Sequence, residues 1–124
     1  MIELRLKRTD EYNLFIMKGE LVRSNCAIFA EKMLPFTDTE PYIVIDMGEV
    51  DFMDSGGVGA LVKIANRLND QGKSFWLVRV NSDIRRMLFN VQMHSMFNIA
   101  SRLEDILDAM YMNNRQYDEA AQKF

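Results

Sequence analysis

The chain has one cysteine, one histidine and two prolines in 124 residues. A lone Cys26 excludes an intramolecular disulfide and fits a reducing compartment. It falls among Ala27, Ile28 and Phe29, where a small buried hydrophobe is the expectation. A lone His94, in the loop-like Gln92-Met93-His94-Ser95, has no cysteine or acidic cluster beside it. It offers no metal-ligand spacing and no nucleophile–base pair. Basic charge is not in excess: the formal net charge is −3, and Lys and Arg are scattered. The small cluster Arg85-Arg86 does not make the basic face that nucleic acid requires. No apolar run is long enough to span a bilayer. The opening Met-Ile-Glu-Leu-Arg-Leu alternates apolar and charged residues and lacks the apolar stretch of a signal peptide. The expectation is a cytoplasmic protein with no nucleic-acid partner, no direct membrane insertion, no metal and no cofactor.

What is present is a globular balance, with 48% hydrophobic and 27% charged residues. The length suits one domain able to bury its own core. The 10 Met suit irregular core filling. Ile2, Leu4 and Leu6 alternate with polar residues, and 12–17 is a second short β-like run closed by Gly19, so the two predict a hairpin. Ser24 or Asn25 can cap a helix that Pro35 stops near Leu34, leaving 36–41 as a loop. Residues 42–46 are a nearly continuous, β-branched apolar run, the pattern of a buried central strand. Val58, Leu61, Val62, Ala65 and Leu68 make one apolar face of the clearest helix, which Gly72 ends. Residues 74–80, around Trp76, predict another buried strand. Asp83 can cap a short helix to about Phe89, 96–100 a last strand, and Leu103, Ile106, Leu107 and Met110 a closing helix. The order β-β-α-β-α-β-α-β-α predicts an α/β fold: a mixed sheet of about five strands with four helices packed on it. The domain spans 1–111, with 112–124 a helical extension or frayed tail.

The informative stretch joins the central strand to the clearest helix. After Asp54 and Ser55 come Gly56, Gly57, Val58 and Gly59. Each glycine inside a helix costs about 0.5–1 kcal/mol relative to alanine, so three in one turn call for a reason. Small residues leave the Ser55 hydroxyl uncovered and let another surface approach the backbone. A helix N-terminus carries unpaired N–H groups and the positive end of the macrodipole, so a phosphate on Ser55 would meet donors there. Asp51 and Asp54 carry the same sign as that phosphate, which adds about −1.5 to −2 charge. From local pattern alone, Asp54 or Ser55 as a simple helix cap is the stronger reading. A nucleotide phosphate loop is excluded, because the Gly-Lys-Ser/Thr ending and the dinucleotide glycine spacing are both missing.

The stretch 54–59 resembles the Asp-Ser-Ser/Thr-Gly-Leu-Gly signature of STAS domains, specifically those of anti-sigma factor antagonists. Gly19-Glu20-Leu21, residues 43–46 and 50–53, then 84–88, Met93, Phe97, Ile99 and 103–107, follow the same family in register. The resemblance implies that Ser55 is phosphorylated by an anti-sigma factor with serine-kinase activity. The unmodified protein would bind that kinase and release the sigma factor, phosphorylation would end binding, and a metal-dependent serine phosphatase would restore it. The partner-binding residues so implied are Glu20, Val22, Arg23, Asp54, Ser55, Gly56, Gly57, Val58 and Gly59. Two positions depart from the family pattern. Gly56 stands where a second Ser or Thr is commoner, and Val22 where Asp is common.

Other readings compete with this one. A docking subunit of a transporter or sensory assembly would use the same face without phosphorylation. A hydrolase or receiver-like acceptor built on Asp46, Asp51 and Asp54 lacks the paired groups such chemistry needs, so the chain is expected not to be an enzyme. Arg85 and Arg86 are read as a solvated face, with a contact to the partner as the sharper alternative.

Overall fold

The computed structural model describes residues 2–9, 12–90 and 98–108. Five strands form one sheet in sequence order. The first two, β1 (Ile2–Arg8) and β2 (Asn13–Leu21), pair antiparallel with Leu4 opposite Met17. The next three, β3 (Tyr42–Met53), β4 (Ser74–Val78) and β5 (Asn98–Ala100), each add in parallel to the strand before. Helices α1 (Cys26–Thr39), α2 (Ser55–Asp70) and α3 (Ser82–Asn90) make the three parallel crossovers. A fourth helix, α4, follows β5 over residues 103–108. The predicted fold class and element order are therefore observed.

Strand alternation sorts the core into two layers. Met17, Ile43, Ile45, Met47, Phe75 and Leu77 point toward α1 and α2, where Phe29, Met33, Leu61, Ile64 and Leu68 complete the main core. Leu14, Val44 and Val78 point to the other face and meet Ile106 of α4, with half-buried Trp76 beside them. Trp76 thus lies in the smaller core.

Pro35 does not end α1. It lies inside the helix, which runs on to Thr39 and closes with the Glu40 N–H donating to the Phe36 carbonyl. A proline there forfeits the bond to the carbonyl four residues back, a loss of about 3 kcal/mol or more. The last turn is held from outside. Lys73 Nζ donates to the Thr37 carbonyl at 2.8 Å, and Arg67 reaches both Thr37 Oγ1 and the Asp38 carboxylate. The expected loop over 36–41 is therefore mostly helix.

Two strands also outrun their sequence patterns. β2 continues through Gly19, at φ 110°, to Leu21, and β3 runs 12 residues to Met53. The two pair along that extra length, with register shifts after Ile16 and Gly19. The strand expected over 74–80 ends at Val78. The cap of α3 is Asn81, whose Oδ1 accepts from the Ile84 N–H at 2.8 Å, not Asp83. His94, Met93, Phe97, Met110 and the 112–124 extension lie outside the described residues.

Candidate functional site

Because β2, β3 and β4 are parallel, the N-termini of α1, α2 and α3 gather at one end of the sheet, beyond the C-termini of those strands. This is the side on which open α/β sheets carry their sites. Asp54 stands between the end of β3 and the start of α2, with extended backbone (φ −109°, ψ −173°). Its Oδ1 accepts from the Gly57 N–H at 3.1 Å, which makes it the N-cap. Its Oδ2 accepts from the Arg23 N–H at 3.0 Å, and its own N–H donates to the Leu21 carbonyl. One carboxylate thus ties the β2–α1 loop to the tip of α2. Those bonds hold the Asp54 carboxyl below its ordinary value: the Arg23 N–H contributes most, and burial opposes.

The loop is tied at its other end by Asn25. Its Oδ1 accepts from the Val22 N–H at 2.9 Å and its Nδ2 donates to the Glu20 carbonyl at 2.7 Å. Asn25 is the first residue before α1, yet its side chain makes no capping bond to the helix. The expected helix cap is a loop staple instead. Cys26 is half-buried rather than buried, with its Sγ 3.5 Å from the Arg23 carbonyl.

The three glycines divide by function. A Cβ on Gly57 would run onto the Leu21 carbonyl oxygen and come within 2.5 Å of Met53 Cγ. On Gly56 it would lie 2.8 Å from the Arg23 Cα. On Gly59 it would meet nothing within 4 Å. Two of the three are therefore required by the chain's own loop, and only Gly59 leaves backbone open to a visitor. This also accounts for Gly56 at the position where the resembling family prefers Ser or Thr: a side chain there would push the Arg23 backbone away.

Since Asp54 is the cap, Ser55 is released from that role and stands exposed at the first position of α2. The Gly57 N–H that a phosphate could use is already engaged by Asp54. A phosphate on Ser55 would therefore find that donor taken and would meet the like charge of Asp54. Around it lie exposed Glu20, Arg23, Asp51 and Gly59, with Val22 and Gly56 half-buried and Gly57 and Val58 buried. The structure brings all nine implied partner-binding positions to one end of the sheet, where Gly57 and Val58 serve as packing beneath the surface.

Two residues take places that the sequence pattern did not assign them. Phe52 is 52% exposed and pairs in register with Glu20 at the end of β3. The inward pair beside it, Leu21 and Met53, places both on the opposite face of the sheet. The second is Asp46, 8% exposed, which binds Arg79 through two bonds of 2.9 and 2.7 Å and accepts from the Gly48 N–H. Arg79 adopts φ 57°, the left-handed region, and a Cβ on Gly48 would lie 2.5 Å from its guanidinium carbon. Asp46 is thus committed to an ion pair and Asp54 to a cap. No three His, Cys, Asp or Glu side chains gather as a metal site among the described residues. Arg85 and Arg86 are exposed on α3.

A mixed five-stranded sheet flanked by helices, with an exposed serine at the tip of an aspartate-capped helix beyond the strand ends, places the molecule in a defined class of small α/β domains. A sequence profile of the STAS domain matches residues 3–106, and the chain belongs to the STAS domain family. The structure of an anti-sigma factor antagonist from Mycobacterium paratuberculosis is similar at a TM-score of 0.77 and 22% identity, over 88% of this chain and 93% of that one. The Bacillus cell fate determinant SpoIIAA in its phosphorylated form is similar at 0.65 and 19%, over 87% and 99%. The murine solute carrier 26 family member A9 anion transporter is similar at 0.70 and 17%, over 83% of this chain and 18% of the transporter. The fold is thus that of anti-sigma factor antagonists, and it also occurs within an anion transporter. Among the described residues, no helix is long and apolar enough to cross a membrane.

Proposed function

We propose that this protein is an anti-sigma factor antagonist switched by phosphorylation of Ser55. In its unmodified form it binds an anti-sigma factor serine kinase and frees the sigma factor; the kinase phosphorylates Ser55, and a metal-dependent serine phosphatase reverses the change. The observation that carries this reading is the division of labour at the tip of α2: Asp54 performs the capping, and Ser55 stands exposed.

Phosphorylation here acts on docking, not on the fold. The added charge of about −1.5 to −2 sits outside the packed loop. Two like charges about 4 Å apart repel by about 1 kcal/mol in water and about 4 kcal/mol at an effective dielectric near 20, the regime of a closed interface. That range weakens binding by roughly fivefold to a thousandfold. Open backbone at Gly59, one turn along α2 from Ser55, supplies a close-approach point for the kinase. The chain contributes its hydroxyl as substrate and no catalytic group.

The test is the affinity of variants for the kinase. Ser55→Ala is expected to bind constitutively and Ser55→Glu poorly. Equal affinities for the two would reject the switch and leave a docking subunit that works without phosphorylation.

A further inference from the structure

β1 pairs with β2 on one side and, among the described residues, with no strand on the other. It is seven residues long, without proline and without a register shift. Such an edge is a template for another strand unless its side chains forbid it. Ile2, Leu4 and Leu6 are half-buried on the helix side, and Glu3, Arg5 and Lys7 are exposed on the other. An apolar groove of about 180 Å³ runs between the strand and α1, lined by Ile2, Leu4, Asn25, Ile28, Phe29 and Lys32. Ile28, on its rim, is 53% exposed.

We propose that β1 is a self-association edge, along which two copies of this chain pair antiparallel about a two-fold axis at Leu4, joining their sheets. The charge pattern selects both the occupant and the register. A two-fold axis normal to the sheet keeps the helices of both copies on one side and sets residues of the same face opposite each other. With the axis at Leu4, Glu3 opposes the partner's Arg5 and Arg5 the partner's Glu3. On the helix side Leu4 meets the partner's Leu4, and Ile2 meets the partner's Leu6. Moving the axis to Glu3 or Arg5 sets that charge against its own copy, and moving it to Leu6 sets Arg5 against the partner's Lys7. Like charges directly opposite are destabilising, and opposite charges stabilise. Of these registers, only the one centred on Leu4 makes opposite-charge pairs with no like-charge pair opposite. The α1 helices of the two copies flank the seam, and Ile28 of each closes over the paired leucines.

The test is sedimentation of the full chain over a micromolar-to-millimolar series, with far-UV circular dichroism to verify the fold of each variant. The expected result is a monomer–dimer equilibrium. Arg5→Glu alone should weaken it at least about tenfold, because it turns both opposite-charge pairs into like-charge pairs. The exchange Glu3→Arg with Arg5→Glu should restore association to within about threefold of the original, since it rebuilds the same pairs with signs reversed. A chain that stays monomeric at millimolar concentration overturns the proposal. So does a dimer that Arg5→Glu leaves intact, or one that the double exchange fails to rescue. None of these outcomes depends on the phosphorylation of Ser55.

Discussion

The first turn of α2 has an inner and an outer side, and the same residue type does opposite work on each. Inward, Gly56 and Gly57 are small because the β2–α1 loop lies against them, with the Leu21 carbonyl and the Arg23 backbone in the space a side chain would fill. Outward, Gly59 faces open space and Ser55 is exposed. A glycine-rich turn is therefore not one signal. Its inner half builds the site by drawing Val22 and Arg23 to the helix tip, and its outer half is the site. Changes on the inner side should cost stability, and changes on the outer side should alter binding while leaving stability level or higher.

The largest expected effect lies inward. Gly57→Ala forces a methyl onto a backbone carbonyl that cannot rotate away, and should destabilise by about 3 kcal/mol, the upper end of overpacking. Chemical denaturation measures it; a loss within the noise would mean the loop is not held against the helix. Gly56→Ser restores the family's commoner residue, yet should still destabilise by about 1–2 kcal/mol, because the Arg23 backbone must retreat. An unchanged midpoint would break the explanation given for that departure.

Asp54 joins the two sides, and its contribution has a defined pH sense. Its folded-state carboxyl is held below the ordinary 3.8 by the Arg23 N–H and, less, by those of Gly57 and Gly56. A depressed value means its stabilisation is fully present above about pH 4 and is lost as pH falls through the lower folded-state value. The melting difference between the native chain and Asp54→Asn should be constant from neutral pH to about pH 5 and shrink below about pH 4. A difference that grows on acidification would contradict the cap.

Outward, the signs change. Gly59→Ala should stabilise by about 0.5–1 kcal/mol, because the methyl meets nothing and helix propensity improves. The same methyl should weaken kinase binding by about tenfold, or about 1.4 kcal/mol, by blocking close approach. Parallel loss of stability and binding would show that the outer side is structural after all. Ser55→Ala should move stability least, within about 0.5 kcal/mol.

Much of this was legible from residue pattern. The order of elements follows from apolar periodicity in 42–46 and 58–68 and from the turn residues between them. The location of Ser55 beyond the strand ends follows from parallel strands feeding helices. What remained hidden depends on partners distant in sequence. Pro35 reads as a stop because its lost hydrogen bond is local, whereas the Lys73 and Arg67 contacts that hold the turn come from α2 and beyond. The far ends of β2 and β3 look like loop because their extra length comes from pairing with each other. Asn25 looks like a cap and is a loop staple. Gly56 and Gly57 look permissive when they are required, because the Leu21 carbonyl and Arg23 backbone that fill the space lie more than 30 positions away. Asp46 with Arg79 gave no signal beyond an aspartate within an apolar strand.

The proposed switch requires that cells phosphorylate the exposed Ser55, which Asp54 relieves of the capping role. Intact-mass measurement of the protein from its own cells, with the modified position mapped by fragmentation, asks this directly. The prediction is a population carrying one phosphate on Ser55 whose fraction changes with growth state. A Ser55 free of phosphate in every state, or a phosphate placed elsewhere on the chain, would contradict it.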